Sequence, residues 1–227
     1  MREIQRTINN NYKISNFLVL FLVHSIQVGV GILGFQQTIV GIIGNDSWIS
    51  VILAGLLVHI IIWMLYKILK YGRGDLITIQ RDIFGKWFGG VLSFIWLIYF
   101  TLIGIAVLRT YIEIVQVWMF PNISVTFLSF LLLSLVYYIV IGGFKAVAGI
   151  CFLGMIIPLY LILTLIFPLN FAEFQNILPI WNHSLKEFAI SSKHMIISYL
   201  GFSTLLMYYP FIKQPEKSQK WAHVGTS

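Results

Sequence analysis

Long apolar runs alternate with short polar stretches along this chain. The runs lie at 17–43, 48–69, 87–108, 125–141, 147–166 and 195–211. A helix needs roughly 20 apolar residues to cross a bilayer, with about 17 as the lower end. The fourth and sixth runs sit near that lower end. The pattern predicts an all-α integral membrane fold with six transmembrane helices. It divides the chain into an N-terminal segment at 1–14, a transmembrane domain at 15–211 and a polar tail at 212–227.

Composition agrees with this class. Of the 227 residues, 59% are hydrophobic and only 10% are charged, far less charge than a soluble domain of this size carries. The net charge of +7 does not point to nucleic acid, because the charges fall in loops between the apolar runs. With the N-terminus inside, all 15 lysines and arginines except Arg109, Lys186 and Lys193 lie on the cytoplasmic side. That asymmetry predicts cytoplasmic N- and C-termini and an even number of spans. The single cysteine, Cys151, rules out a disulfide framework and a cysteine-based structural metal site. In the loop after the second run, Leu76, Ile77, Ile79, Ile83 and Phe84 can face lipid while Arg81, Asp82 and Lys86 stay wet. This predicts a short interfacial helix.

The first run contains its own interruption. Its centre reads His24-Ser-Ile-Gln-Val-Gly-Val-Gly-Ile-Leu-Gly-Phe-Gln36. Each glycine costs a helix about 1 kcal/mol relative to alanine. His24, Gln27, Gly31 and Gly34 share one face of a continuous helix. Two readings fit. In one, the helix unwinds around Gly29 and Gly31, and the freed amides beyond them begin a second half-helix whose positive end can hold a carboxylate. In the other, the small residues allow close helix packing, and His24 bonds to a neighbour. The sixth run repeats the theme at Ser198-Tyr-Leu-Gly-Phe-Ser-Thr204, where hydroxyls can re-satisfy a freed carbonyl. Paired interruptions in spans one and six are the expected pattern when two related halves each begin with a broken helix.

Other ionisable residues read as structural. His59 stands alone in span two, either as a functional group or hydrogen-bonded to a neighbouring helix. Arg109 and Glu113 are spaced to pair on one helix face. Catalytic signatures are missing: there is no phosphate-cradling glycine loop with a lysine, no His-Glu-x-x-His helix and no nucleophile elbow. The reading is therefore of a protein that is not an enzyme and has no catalytic residues, cofactor or metal.

Several stretches together resemble a known family. They are Gln27-Val-Gly-Val-Gly-Ile-Leu-Gly34, Gly74-Asp-Leu-Ile77, Leu108-Arg-Thr-Tyr-Ile-Glu113, Asn176-Ile-Leu-Pro179, Gly201-Phe-Ser-Thr-Leu-Leu206 and Tyr209-Pro-Phe211. Their order and spacing resemble the B-type membrane subunit of bacterial spore nutrient-germinant receptors, within the amino acid–polyamine–organocation transporter superfamily. The resemblance implies a transporter-like fold of about ten spans in two inverted repeats. This chain would hold one repeat plus the first helix of the second, cut short after the sixth span. It implies a site for a small nutrient such as an amino acid, lined by Gly29, Gly31, Gly34, Gly201, Phe202 and Ser203; the helix-face reading adds His24 and Gln27 as ligand-binding candidates. The family resemblance leads one to expect an acidic residue where this chain has Ser203. Without it, a ligand amine lacks that charged partner.

The implied function is nutrient sensing that helps trigger spore germination. The implied setting is the lipid bilayer of the spore inner membrane or cell membrane, beside a larger membrane subunit and a lipoprotein. The alternatives are an amino acid transporter working by alternating access and an inactive truncated fragment.

Overall fold

A computed structural model of the chain describes residues 8–29, 34–72, 74–178, 180–199 and 201–227. Regular structure among them is helical, apart from one isolated parallel β-bridge between Ile14 and Ile212. Three helical runs are long and apolar enough to cross a membrane: Phe35–Gly72, Leu76–Trp118 and Phe144–Leu169. Two shorter apolar helices lie at Asn16–Gln27 and Val125–Ile141.

The first apolar run forms two helices. Helix α1 spans Val19–Gln27, and α2 spans Phe35–Ile43. After α2 the chain turns at Gly44, whose φ of 53° lies in the left-handed region that glycine enters freely. It continues as α3, Ser47–Gly72. Ile39 of α2 and Ala54 of α3 share one buried cluster with Met195, so α2 doubles back along the start of α3. On α3 the buried residues are Ser50, Ala54, Val58, Ile62, Tyr66 and Leu69. Their three- and four-residue spacing marks a single inward stripe.

Helix α4, Leu76–Trp118, begins at an Asp75 cap whose carboxylate accepts the Thr78 amide at 2.8 Å. Its axis bends sharply at Gly85, where φ is 77°. The amphipathic stretch read from the sequence is thus the first arm of a kinked helix. The second arm carries the third apolar run. The two arms meet tightly, since a methyl group on Gly89 would stand 2.8 Å from the Arg81 Cα. Helices α5 (Val125–Ile141) and α6 (Phe144–Ile156) follow. A 3-10 stretch, Ile157–Leu165, leads on to α7, Ile166–Leu169. Leu128 is the buried residue of α5, and Ala148 that of α6. Apolar side chains such as Phe94, Phe130, Tyr138 and Ile162 are more than half exposed. Apolar exposure on this scale is a liability in water and suits lipid.

Helix α8 spans Leu185–Ser198, α9 Leu205–Tyr208 and α10 Gln219–Thr226. Helix α8 begins ten residues before the sixth apolar run. A capping box sets it: the Ser184 hydroxyl accepts the Glu187 amide, and the Glu187 carboxylate accepts the Ser184 amide at 2.8 Å. The polar tail also contributes to the interior. Ala222, Gly225 and Thr226 are buried where α10 lies against α1 and α3. A methyl group on Gly225 would strike the Leu20 carbonyl. The partner of His59 is His223 of α10, with the two Nδ1 atoms 2.9 Å apart. One ring must donate to the other.

Candidate functional site

The two helix interruptions meet. Helix α1 ends at Gln27, where the Val28 amide still bonds the His24 carbonyl at 2.8 Å. Helix α8 ends at Ser198, and α9 starts at Leu205 after a short 3-10 turn, Phe202–Thr204. Gly201 lies in the second gap with φ 143°, a backbone conformation that an L side chain strains to adopt. A methyl group there would sit 2.6 Å from Cγ2 of Ile26 and 3.5 Å from the Gln27 nitrogen. Glycine at 201 therefore does two things: it permits the turn, and it lets the second interruption approach the end of α1.

Gln27 joins the two breaks chemically. Its side-chain amide donates to the Tyr199 carbonyl at 3.1 Å and to the Thr226 hydroxyl at 3.4 Å. The Tyr199 carbonyl sits just past the end of α8, where helical partners run out. Thr204 serves the other side of the gap, since its hydroxyl donates to the Gly201 carbonyl at 2.7 Å. The Gln27 bond supplies a partner to a carbonyl at an opened helix end, and the Thr204 hydroxyl adds to the 3.2 Å bond that its own amide makes to the Gly201 carbonyl.

On the α2 side, Gly34 is the residue before the helix, and no side chain caps it. It is exposed, and nothing lies within 4 Å of a methyl group placed on it. The first turn of α2 thus has no side-chain cap at Gly34, and uncapped helix amides bind anions readily.

The sequence-derived residues divide as follows. Gln27, Gly29, Gly34, Gly201 and Ser203 lie in or beside the two gaps. Gly31 falls outside the described residues. Phe202 is buried at 8% exposure in the main apolar cluster, with Val23 of α1, Val58 of α3 and Leu205 of α9. Its ring packs the wall of the gap. His24 is half-buried in the last turn of α1. It shares a helix face with Gln27, but that face does not run on to Gly34, because the helix stops between them. The sequence reading missed Tyr199, Ile26 and Thr226. Thr226 lies in a tail whose composition carries no sign of burial.

A second junction lies away from the gaps. The Asp46 carboxylate is 2% exposed and accepts the amides of Trp181 (3.1 Å) and Asn182 (2.9 Å). Nδ1 of His183 lies 3.1 Å from the same group. Trp181 adopts a φ of 70° and stacks on Phe188 at 4.6 Å. The carboxylate fastens the segment before α8 to the start of α3. Among the described residues no group of three or more His, Cys, Asp or Glu is arranged to hold a metal ion.

Comparison with known proteins gives this arrangement a family. The model described as "Spore germination protein" matches residues 13–227. The spore germination protein GerQB of Bacillus cereus is 49% identical over 212 residues, covering 93% of this chain and 59% of that protein. Two proteins of Bacillus subtilis (strain 168) are more distant. Spore germination protein YndE is 23% identical across 94% of this chain and 60% of its own length. Spore germination protein A2 is 24% identical across 94% of this chain and 59% of its own length. The chain thus spans about three fifths of the curated relatives it matches. No solved structure matches it. With a family model covering nearly its whole length, this chain belongs to the spore germination protein family.

Proposed function

We propose that this chain is a membrane subunit of a spore nutrient-germinant receptor, and that the meeting of its two helix interruptions is the binding site for a small nutrient such as an amino acid. The observation that carries the reading is the contact between breaks: Gly201 abuts Ile26, and Gln27 bonds Tyr199. Open backbone at membrane depth persists where it lines a cavity, and paired broken helices are a recurring way to build a midplane site. The uncapped start of α2 supplies positive potential for a carboxylate. Ser203 offers a neutral hydroxyl to the other end of the ligand.

Six spans fit the geometry. The crossings would be α1 with α2, α3, the second arm of α4, α5, α6 with α7, and the last turn of α8 with α9. The bonds Ile14 N–H to Phe211 C=O and Lys213 N–H to Ile14 C=O, both 2.8 Å, set the start of the first crossing beside the end of the sixth. An even number of crossings meets that condition. The Asp46 junction joins two segments that the same topology places together on the outer side. The basic residues make the Ile14–Ile212 side cytoplasmic, with the spore inner membrane as the setting.

Ligand binding would favour one arrangement of the half-helices over another, and the differential affinity is the signal. A larger membrane subunit and a lipoprotein would read it. Alternating-access transport uses the same paired breaks, so uptake of labelled amino acids into vesicles separates transporter from sensor. The binding reading is tested by Gly34→Leu. The position has room for the side chain, so folding should survive while the α2 amides are covered. Spores carrying the variant at normal protein level should lose their response to an L-amino acid mixture; an unchanged dose response would refute the site.

A further inference from the structure

A cavity of about 580 Å³ opens at the far end of α3 from the helix breaks. Its walls include Trp63, Lys67, Lys70 and Tyr71 of α3, with Tyr209 and Glu216 opposite. Positions 63, 67, 70 and 71 share one helix face. The Lys67 ammonium stands 3.9 Å above the Trp63 ring, which holds the charge at the cavity wall. Lys70 meets Glu216 at 3.7 Å, and both side chains are more than half exposed. Such a pair is weak and exchanges readily for a better ligand. Two ammonium groups against one carboxylate leave one positive charge among these three residues.

Depth identifies the ligand. From Trp48 to Lys67, α3 rises about 29 Å at 1.5 Å per residue, and the hydrocarbon core of a bilayer is about 30 Å thick. The two lysines therefore stand at the level of lipid phosphates. Below the cavity, Leu56, Ile60 and Trp63 form an outward apolar row, each close to half exposed, along which acyl chains can lie.

We propose that this cavity binds a singly charged phosphate group, supplied by the phosphodiester headgroup of an anionic lipid. The inference rests on the membrane placement of α3 and is independent of the nutrient site. One net positive charge matches one phosphodiester anion. The Trp and Tyr rings sit at interfacial depth, where such side chains concentrate, and give the headgroup a rigid wall. Glu216 disfavours a second negative charge.

The test is native mass spectrometry of the purified chain with added phosphatidylglycerol, phosphatidylcholine or inorganic phosphate. Phosphatidylglycerol should be retained at least about tenfold more than phosphatidylcholine, and K67Q/K70Q should abolish that preference with the melting temperature unchanged. K145Q, which alters a lysine outside the cavity, should retain it. Displacement of the lipid by millimolar inorganic phosphate would keep the phosphate chemistry and assign a soluble source. Equal retention of the two lipids, or an undiminished preference in K67Q/K70Q, would overturn the proposal.

Discussion

At the scale of single residues, the junction between the breaks depends on Gly201 and Gln27. Gly201 has a φ of 143° and leaves no room for a β-carbon against Ile26. Gly201→Ala should destabilise the protein by about 1–3 kcal/mol through strain and overpacking together. The measurement is the thermal midpoint in detergent; an unchanged midpoint would mean that the breaks do not touch. Gly201 stood out in the sequence because a glycine between hydroxyls is anomalous in an apolar run. Its neighbour Ile26 did not, since nothing local marks an isoleucine as the residue a distant glycine must accommodate. Gln27 was legible as a polar residue in an apolar run. Its partners Tyr199 and Thr226 become visible only once α8 and α10 are brought together.

At the scale of elements, hydrophobicity located α3 and α5 closely but misplaced the start of α8. The apolar run begins at 195, whereas the helix begins at Leu185. Its first turns are amphipathic: Phe188, Ser191 and Ser192 face inward, while Lys186 and Lys193 are exposed. The signal was the Ser184-Leu-Lys-Glu187 capping pattern, which marks a helix start independently of hydropathy. Ser184→Ala should cost about 1 kcal/mol of local stability, read as faster hydrogen exchange of the first-turn amides of α8. The Ser184 backbone N–H, seconded by its hydroxyl, holds the Glu187 carboxyl below its ordinary range. Its contribution is thus fully present above the unfolded-state value of about 4.3. It is lost as pH falls through the lower folded-state value. The protection factors of these amides, corrected for the pH dependence of intrinsic exchange, should fall below about pH 4 in the parent protein, and this fall should be absent in Glu187→Gln. An acid response that persists in the glutamine variant would assign it to another group.

At the scale of the whole molecule, the arrangement closes on itself. The entering segment at Ile14 bridges to the chain after α9, and Asp46 secures the segment before α8. The proposed topology places these two junctions on opposite faces of the membrane. With Cys151 replaced by serine, cysteines at Asn11 and Gln214 should react with an impermeant thiol reagent from one side only, and a cysteine at His183 from the other. Labelling of 11 and 214 from opposite sides would break the six-span topology. Run lengths and the distribution of lysine and arginine made the membrane class legible. The burial of α10 was not legible, because its polar composition resembles a solvated tail while its inward positions are small residues, Ala222 and Gly225. The central claim is that the two interruptions form one small-ligand site, and its most direct test is ligand protection at Ser203. In the Cys151→Ser background, Ser203→Cys places a thiol in the second gap. An L-amino acid mixture should slow its alkylation at least about threefold while leaving a cysteine at Tyr137 unaffected. Equal rates at position 203 with and without the mixture, in a protein that still responds to it, would contradict the account.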